Sequence, residues 1–157
     1  MSGYKDFNKD VIERTIEIVE SYDKIKDEKY EVTLLINCLT GLLVLPKEIL
    51  SKKKCYSLPD SNLEDLKDWG IKQEHIKEVS CSSCGYKLNN IVRHMRNSVA
   101  HMKIESLNDA SGKIVELRFR DSGFRAEIPI DALEEFVKKL ARSVINKKGE
   151  DKKNKNV

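Results

Sequence analysis

The stretch from Val79 to Ile104 contains arginine, histidine and asparagine side chains but no aspartate or glutamate. The candidate groups within it are Asn89, Asn90, Arg93, His94, Arg96, Asn97 and His101. Guanidinium groups bind phosphate oxygens through paired N–H donors, and imidazole exchanges protons near neutral pH. Amide groups can orient an oxyanion or an imidazole. Because RNA brings its own nucleophile, the ribose 2′-hydroxyl, these groups predict a site that could cleave RNA without a metal.

We expect one helix, over residues 86–102, to position these groups. At about 100° per residue, its apolar side chains fall on one side and its polar side chains on the other. The apolar side consists of Leu88, Ile91, Val92, Met95, Val99 and Met102. A solvated helix face normally mixes charges of both signs, because Glu–Lys pairs four residues apart stabilise it. The lack of acids therefore favours an anion-binding face, with a solvated basic face as the alternative.

Arg96 and His101 are five residues apart, which places them about 140° apart around an ideal helix. One helix therefore does not easily bring both side chains to one phosphate. Two copies of the helix that face each other across a two-fold axis could form a shared site. This geometry predicts a homodimer in which both copies contribute to the site.

The segment Arg96-Asn97-Ser98-Val99-Ala100-His101 resembles the signature of the HEPN superfamily. In that signature an arginine is followed by a polar residue, often asparagine, and a histidine lies a few residues later. The segment Glu31–Glu48, EVTLLINCLTGLLVLPKE, is also similar to the central helix of a plasmid- and prokaryote-associated group of HEPN nucleases. HEPN proteins are small helical bundles with the motif late in a helix, and some place strands between it and the last helix.

The resemblance implies a metal-independent endoribonuclease that works as a homodimer, often as a toxin or defence effector. By that pattern Arg96 holds the phosphate and stabilises the transition state, His101 acts as general base or acid, and Asn97 orients the site. Arg93 and His94 are then expected to bind substrate. The expected products are a 2′,3′-cyclic phosphate and a 5′-hydroxyl. A cognate antitoxin or inhibitor is a further partner that this resemblance allows, and a non-catalytic HEPN-like interaction module is the main alternative.

The rest of the chain predicts a mainly α fold, a four- to five-helix HEPN-like bundle with a small β-hairpin inserted before the last helix. Apolar periodicity predicts helices over residues 5–27, 29–45 and 86–102 and a last helix from Asp131. A capping box of Ser61 and Glu64 predicts a short helix that ends before Gly70, and another short helical stretch is expected over residues 73–78. Alternating apolar residues predict the hairpin at about 113–130 and a weaker strand at 103–107. We expect one domain over residues 1–146 and a charged, disordered tail over residues 147–157.

The composition of the 157 residues excludes several classes of protein. There are 29 Lys and Arg against 26 Asp and Glu, and the excess of three lies in the tail, so the domain itself is neutral. The longest uncharged apolar run, Val32–Leu45, is shorter than the roughly 20 residues that span a bilayer. The N-terminus carries no basic-then-apolar signal. We therefore expect a cytoplasmic protein without a membrane partner and with its cysteines reduced.

Cys81-Ser-Ser-Cys84 has the spacing of half a zinc site. A complete site needs two more ligands, and Cys55 and His75 are the nearest candidates. A zinc-stabilised nucleic-acid-binding protein is therefore a third hypothesis, beside a redox pair and an ordinary turn that carries two thiols. We favour the ordinary turn, and we expect neither a metal nor a cofactor at the arginine–histidine site.

Overall fold

The computed structural model describes residues 7–25, 31–44, 58, 61–66, 68–80 and 85–153. The chain divides into two compact units. The helical unit comprises Met1–Ser57 together with Lys138–Val157, and the sheet unit comprises Leu58–Val137. The expectation of one domain over residues 1–146 stays a prediction. No helix within the described ranges is both long enough and apolar enough to cross a membrane.

The helical unit begins with α1 (Phe7–Ile25) and α2 (Glu31–Leu39), which a π-helical turn extends over Thr40–Val44. The predicted helices over 5–27 and 29–45 are therefore confirmed for the residues described. Apolar side chains at helical spacing form the core of this unit, because they line one side of each helix and that side faces the interior. The buried members in α1, α2 and the π-helical turn are Ile12, Val19, Leu35, Cys38, Leu39, Leu42 and Leu43.

The sheet unit contains four antiparallel strands in the order β1-β4-β3-β2. The strands are β1 (Ile76–Val79), β2 (Ile104–Asn108), β3 (Ile114–Asp121) and β4 (Phe124–Pro129). Helix α3 (Leu88–Ala100) precedes β2 and packs against β3. The buried side chains of β3 and β4 alternate with half-buried and exposed ones, as strands with one covered face require. The predicted hairpin at 113–130 is confirmed.

The predicted mainly α class is wrong, because the sheet is four-stranded and the class is mixed α/β. Residues 73–78 were expected to be helical, but only Gln73–His75 form a short 3-10 turn. The residues that follow become β1, since their backbone pairs with β4, and Ile76 lies opposite Ala126. Such a partner is distant in sequence, so local periodicity does not reveal it. The weak strand expected at 103–107 is confirmed as β2.

The short helix expected from Ser61 is reduced to a 3-10 turn at Leu63–Asp65, and Asn62 precedes it without a side-chain cap. Instead, the backbone of this segment supports the start of α3. Ser61 accepts a hydrogen bond from the N–H of Leu88 at 3.0 Å. This carbonyl satisfies one of the donors that every helix start leaves without an intrahelical partner.

Helix α3 ends in a Schellman turn that determines where His101 lies. The N–H of Met102 donates to the carbonyl of Val99 at 3.1 Å, and the N–H of Lys103 donates to Ser98 at 2.8 Å. Met102 has φ +52°, a left-handed conformation that favours glycine. The chain leaves the helix here and enters β2, so His101 caps the helix instead of continuing its polar face.

The last helix, α4, runs from Ile130 to Lys153. Its residues up to Val137 belong to the sheet unit, where Phe136 packs against Trp69 with ring centroids 6.1 Å apart. The backbone is helical over residues 147–153, and the disordered tail predicted for residues 147–157 stays a prediction.

Gly70 occupies a position of the sheet unit that only glycine fits. Its φ is +73°, and a Cβ there would lie 2.2 Å from the carbonyl oxygen of Ala132 in α4. We expect Gly70→Ala to lower the free energy of unfolding by about 1–2 kcal/mol for the backbone conformation and about 1–3 kcal/mol more for the steric overlap. Urea unfolding measures the loss.

Gly112→Ala is the matched control, because Gly112 has φ +86° but no atom within 4 Å of the added Cβ. Its free energy of unfolding should fall only by the backbone contribution, about 1–2 kcal/mol. Equal losses for the two variants would contradict the close approach of α4 to Gly70.

Candidate functional site

The apolar side of α3 positions the candidate site by packing on the sheet. Its buried apolar residues are Leu88, Ile91, Val92, Met95 and Val99, as the helical period predicted. Met102 was assigned to the same side but is 78% exposed, because the helix has already ended there. The opposite side of α3 carries the arginines, and at its edge it meets the end of β3.

The carboxylate of Asp121, the last residue of β3, contacts two side chains of α3. Its Oδ2 lies 2.8 Å from His94 Nδ1 and accepts a hydrogen bond from Asn97 Nδ2 at 2.9 Å. Burial alone would raise the pKa of Asp121. The hydrogen bonds from Asn97, His94 and the backbone of Ser122 outweigh burial and lower its pKa to about 2. The helix face that lacks acids in the sequence therefore has an ionised carboxylate beside it in the fold.

The imidazole of His94 is buried and held on three sides. Ionised Asp121 can only accept hydrogen bonds, so Nδ1 of His94 carries the proton. The other nitrogen, Nε2, lies 3.4 Å from the guanidinium Nη2 of Arg93. The ring also stacks on Phe124, with centroids 4.8 Å apart and planes 7° apart. His94 lies inside the protein with both nitrogens engaged, and its expected role in substrate binding stays a prediction.

Two arginines of α3 are each oriented by an asparagine. Arg93 Nη2 donates to Asn90 Oδ1 at 2.6 Å, and Asn90 in turn donates to the carbonyl of Gly85 at 3.2 Å. Arg96 Nη2 donates to Asn97 Oδ1 at 3.1 Å. Asn97 can serve Arg96 in this way because its NH₂ group is directed at Asp121.

Neither of these guanidinium groups contacts a carboxylate among the described residues. Several other arginines do form ion pairs with acids, namely Arg118 with Glu105 and Glu127, Arg120 with Glu105, and Arg142 with Glu20. A guanidinium without an acidic partner keeps its full charge for an anion from outside. The pair on α3 is therefore suited to bind phosphate.

His101 lies outside this network. Its backbone N–H donates to the carbonyl of Asn97 and caps α3. Its side chain is exposed, and it forms no hydrogen bond with any side chain in the part of the chain that the structure describes. The structure thus joins Arg96, Asn97 and His94 through Asp121 and leaves His101 at the open end of the helix.

A comparison with protein families agrees with the motif on α3. The family model described as HEPN pEK499 p136 matches residues 1–151. The chain belongs to this HEPN family. No match to the chain was found among curated proteins or among solved structures. HEPN membership supports a nucleotide-related or ribonuclease-like function and does not by itself specify a reaction.

Three contributors to this HEPN site were missed by the sequence analysis: Asp121, Ser98 and Phe124. Asp121 could have been found, because Leu117, Phe119 and Asp121 follow one another at two-residue spacing, which directs all three to the same face of a strand. Ser98 gave no signal. Its hydroxyl lies 2.9 Å from the carbonyl of His94 and 2.7 Å from that of Arg120, and it can donate to either one.

The zinc hypothesis concerns residues that are mostly outside the described part of the HEPN chain, namely Cys55, Cys81 and Cys84. His75 is described and buried, and its Nδ1 accepts a hydrogen bond from the backbone of Lys72 at 3.1 Å. Within the ranges described, no three His, Cys, Asp or Glu side chains form a group that could hold a metal ion. Cys38 is a buried core thiol, and burial raises its pKa to about 11.

The lowered pKa of Asp121 predicts a pH-dependent contribution to stability. A carboxylate whose pKa is depressed in the fold stabilises it fully above the ordinary value of 3.8 and loses that contribution as pH falls through about 2. We expect Asp121→Asn to lower the free energy of unfolding by about 2 kcal/mol near pH 6. Urea unfolding from pH 6 to pH 2 should show the wild type and the variant converging in acid. A constant difference across that range would contradict an ionised Asp121.

Proposed function

We propose that this HEPN protein is a metal-independent endoribonuclease whose site is shared between two copies of the chain. The observation that carries the proposal is Arg96, which lies in the motif of a HEPN chain, is oriented by Asn97 at 3.1 Å, and has no carboxylate partner among the described residues. A guanidinium in this state fits a phosphodiester through a bidentate contact.

The reaction follows from the chemistry of these groups. Arg96 binds the scissile phosphate and stabilises the charge that develops as the 2′-oxygen attacks phosphorus. One imidazole accepts the proton of the 2′-hydroxyl, and another donates a proton to the departing 5′-oxygen. The P–O5′ bond breaks as the new P–O2′ bond forms. The products are a 2′,3′-cyclic phosphate and a 5′-hydroxyl, and water is not consumed.

The need for both a proton acceptor and a proton donor supports a homodimer. One chain offers one exposed imidazole at this helix, His101, because His94 is buried and engaged by Asp121. Two copies related by a two-fold axis bring two His101 and two Arg96 side chains to one site. Arg93, one helical turn before Arg96, then contacts a neighbouring phosphate of the same strand. We further propose a toxin or defence role in the cytoplasm, held in check by an inhibitor protein.

A second candidate is a non-catalytic HEPN interaction module. It is favoured by the side chain of His101, which has no hydrogen-bonding partner among the described residues to set its tautomer or orientation. General bases are normally oriented by a third group. In the dimer that group would have to come from the partner copy or from the substrate, and in an interaction module it is not needed.

The two candidates differ in whether purified protein cuts RNA in the presence of EDTA. We expect the wild type to cut and to leave 2′,3′-cyclic phosphate ends, detected by mass spectrometry. We expect His101→Ala to reduce the rate about 10²- to 10⁴-fold, because proton transfer is lost. Arg96→Ala should reduce it about 10²- to 10³-fold, because charge stabilisation is lost.

Arg142→Ala is the matched control, since it removes an arginine whose exposed ion pair with Glu20 contributes little to stability. It should cut RNA at the wild-type rate. Intact RNA with folded wild-type protein would reject the nuclease and favour the interaction module.

Mixing two inactive variants tests the shared site. Arg96→Ala keeps His101, and His101→Ala keeps Arg96, so a mixed dimer has one guanidinium and one imidazole at the shared site, which suffices for charge stabilisation and one of the two proton transfers. We expect subunit exchange to restore part of the activity that neither variant has alone, measured by RNA cleavage after co-incubation. No recovery from a verified mixed dimer, or a strictly monomeric active protein in sizing experiments, would contradict the shared site.

A further inference from the structure

We infer that Asp121 is a positioning residue for the RNA-cleaving site, acting on Arg96 through the side chain of Asn97. The inference rests on the proposed function and deepens it. It assigns a functional role to the hairpin, because Asp121 is the last residue of β3 and lies outside the motif on α3.

The contact with Asp121 decides which way the amide of Asn97 points. The oxygen and the NH₂ group of an asparagine are nearly equal in shape, so the amide can turn over with little steric cost. Asp121 accepts from Nδ2 at 2.9 Å, which leaves Oδ1 to accept from Arg96 at 3.1 Å. With the amide reversed, its NH₂ group would face the N–H donors of Arg96. Two donors repel each other, so the guanidinium would leave its productive position.

The carboxylate performs this role at any pH near neutral because it has no proton to donate. Its lowered pKa keeps it ionised, so it can only accept. A second donor, His94 Nδ1, holds the same oxygen at 2.8 Å, and Phe124 stacks on the His94 ring. Asp121 is therefore itself fixed from two sides, as a group that orients another must be.

The hairpin brings the carboxylate of Asp121 to a defined position along α3. Ser98 on α3 lies 2.7 Å from the carbonyl of Arg120, the residue before Asp121. The N–H of Arg120 donates to the carbonyl of Lys103, just after the end of α3, at 3.1 Å. These contacts tie the end of β3 to the last turn of the helix, next to the motif.

A carboxylate near a phosphate site would repel the substrate if it were open to solvent. The side chain of Asp121 is only 15% exposed, and its charge is engaged by His94 and Asn97. Arg96 lies on the far side of Asn97, so the amide separates the negative group from the positive one. The amide of Asn97 thereby links the position of Asp121 to that of Arg96, while the charge of Arg96 stays available to bind phosphate.

Steady-state kinetics of RNA cleavage test the role. We expect Asp121→Ala to lower kcat by about 10- to 100-fold, because small displacements of a catalytic group cost that much, with KM changed less than about twofold. Asp121→Asn should recover part of kcat, because its amide oxygen can still accept from Asn97. The double variant Asp121→Ala/Asn97→Ala should be no slower than Asn97→Ala alone, since both residues act through one contact.

Asp109→Ala is the control for a purely structural effect. Asp109 also accepts backbone hydrogen bonds, from Ser111 at 2.8 Å and Lys113 at 3.0 Å, but it lies in the turn between β2 and β3. It should lose stability and keep kcat. Additive losses in the Asp121/Asn97 double variant, or a kcat for Asp121→Ala equal to that of Asp109→Ala, would overturn the inference.

Nuclear magnetic resonance of the side chains separates this inference from the proposed function. The Nδ2 protons of Asn97 and the Nη protons of Arg96 should shift together in Asp121→Ala and stay unchanged in Asp109→Ala. Unchanged resonances in Asp121→Ala would overturn the positioning role even if RNA is cut. Intact RNA with wild-type protein would instead reject the nuclease, while coupled shifts would still support the contact chain from Asp121 to Arg96.

Discussion

The contact between the carboxylate of Asp121 and the polar edge of α3 is the constraint on which the site depends. A single oxygen accepts from His94 and from Asn97, so the helix and the end of β3 must stay in one register. The apolar side of α3 supplies the packing energy that brings the two elements together. The half-buried carboxylate adds specificity, because any shift along the strand would leave it without its donors.

The distribution of charge in the sheet unit follows from the same arrangement. On the sheet, Arg118 bridges Glu105 and Glu127 across three neighbouring strands, and the two carboxylates offset its positive charge. On α3, the partners of Arg93 and Arg96 are neutral amides. An amide orients a guanidinium without cancelling its charge. This difference favours α3 as the phosphate-binding candidate over Arg118 and Arg120 on the sheet.

His101 belongs to the HEPN motif but lies beyond the end of α3. The family places the motif in the context of ribonuclease-like proteins. The Schellman turn places His101 beyond the last residue of α3, away from the network that Asp121 organises. A site made from one copy would therefore have an oriented arginine and an unoriented histidine. A second copy offers the simplest way to bring a second histidine and a second arginine to the same phosphate.

The sequence alone determined the helical periods, the alternation of the hairpin and the motif from Arg96 to His101, since each is a local pattern that the side chains impose on the backbone around them. The sequence analysis missed Asp121, although its two-residue spacing from Leu117 and Phe119 is also a local pattern. Only the tertiary structure decided that residues 76–79 form a strand, because their hydrogen-bonding partners lie on β4. It also decided that His94 is buried and that Asn97 faces a carboxylate, because both depend on contacts between residues far apart in the chain.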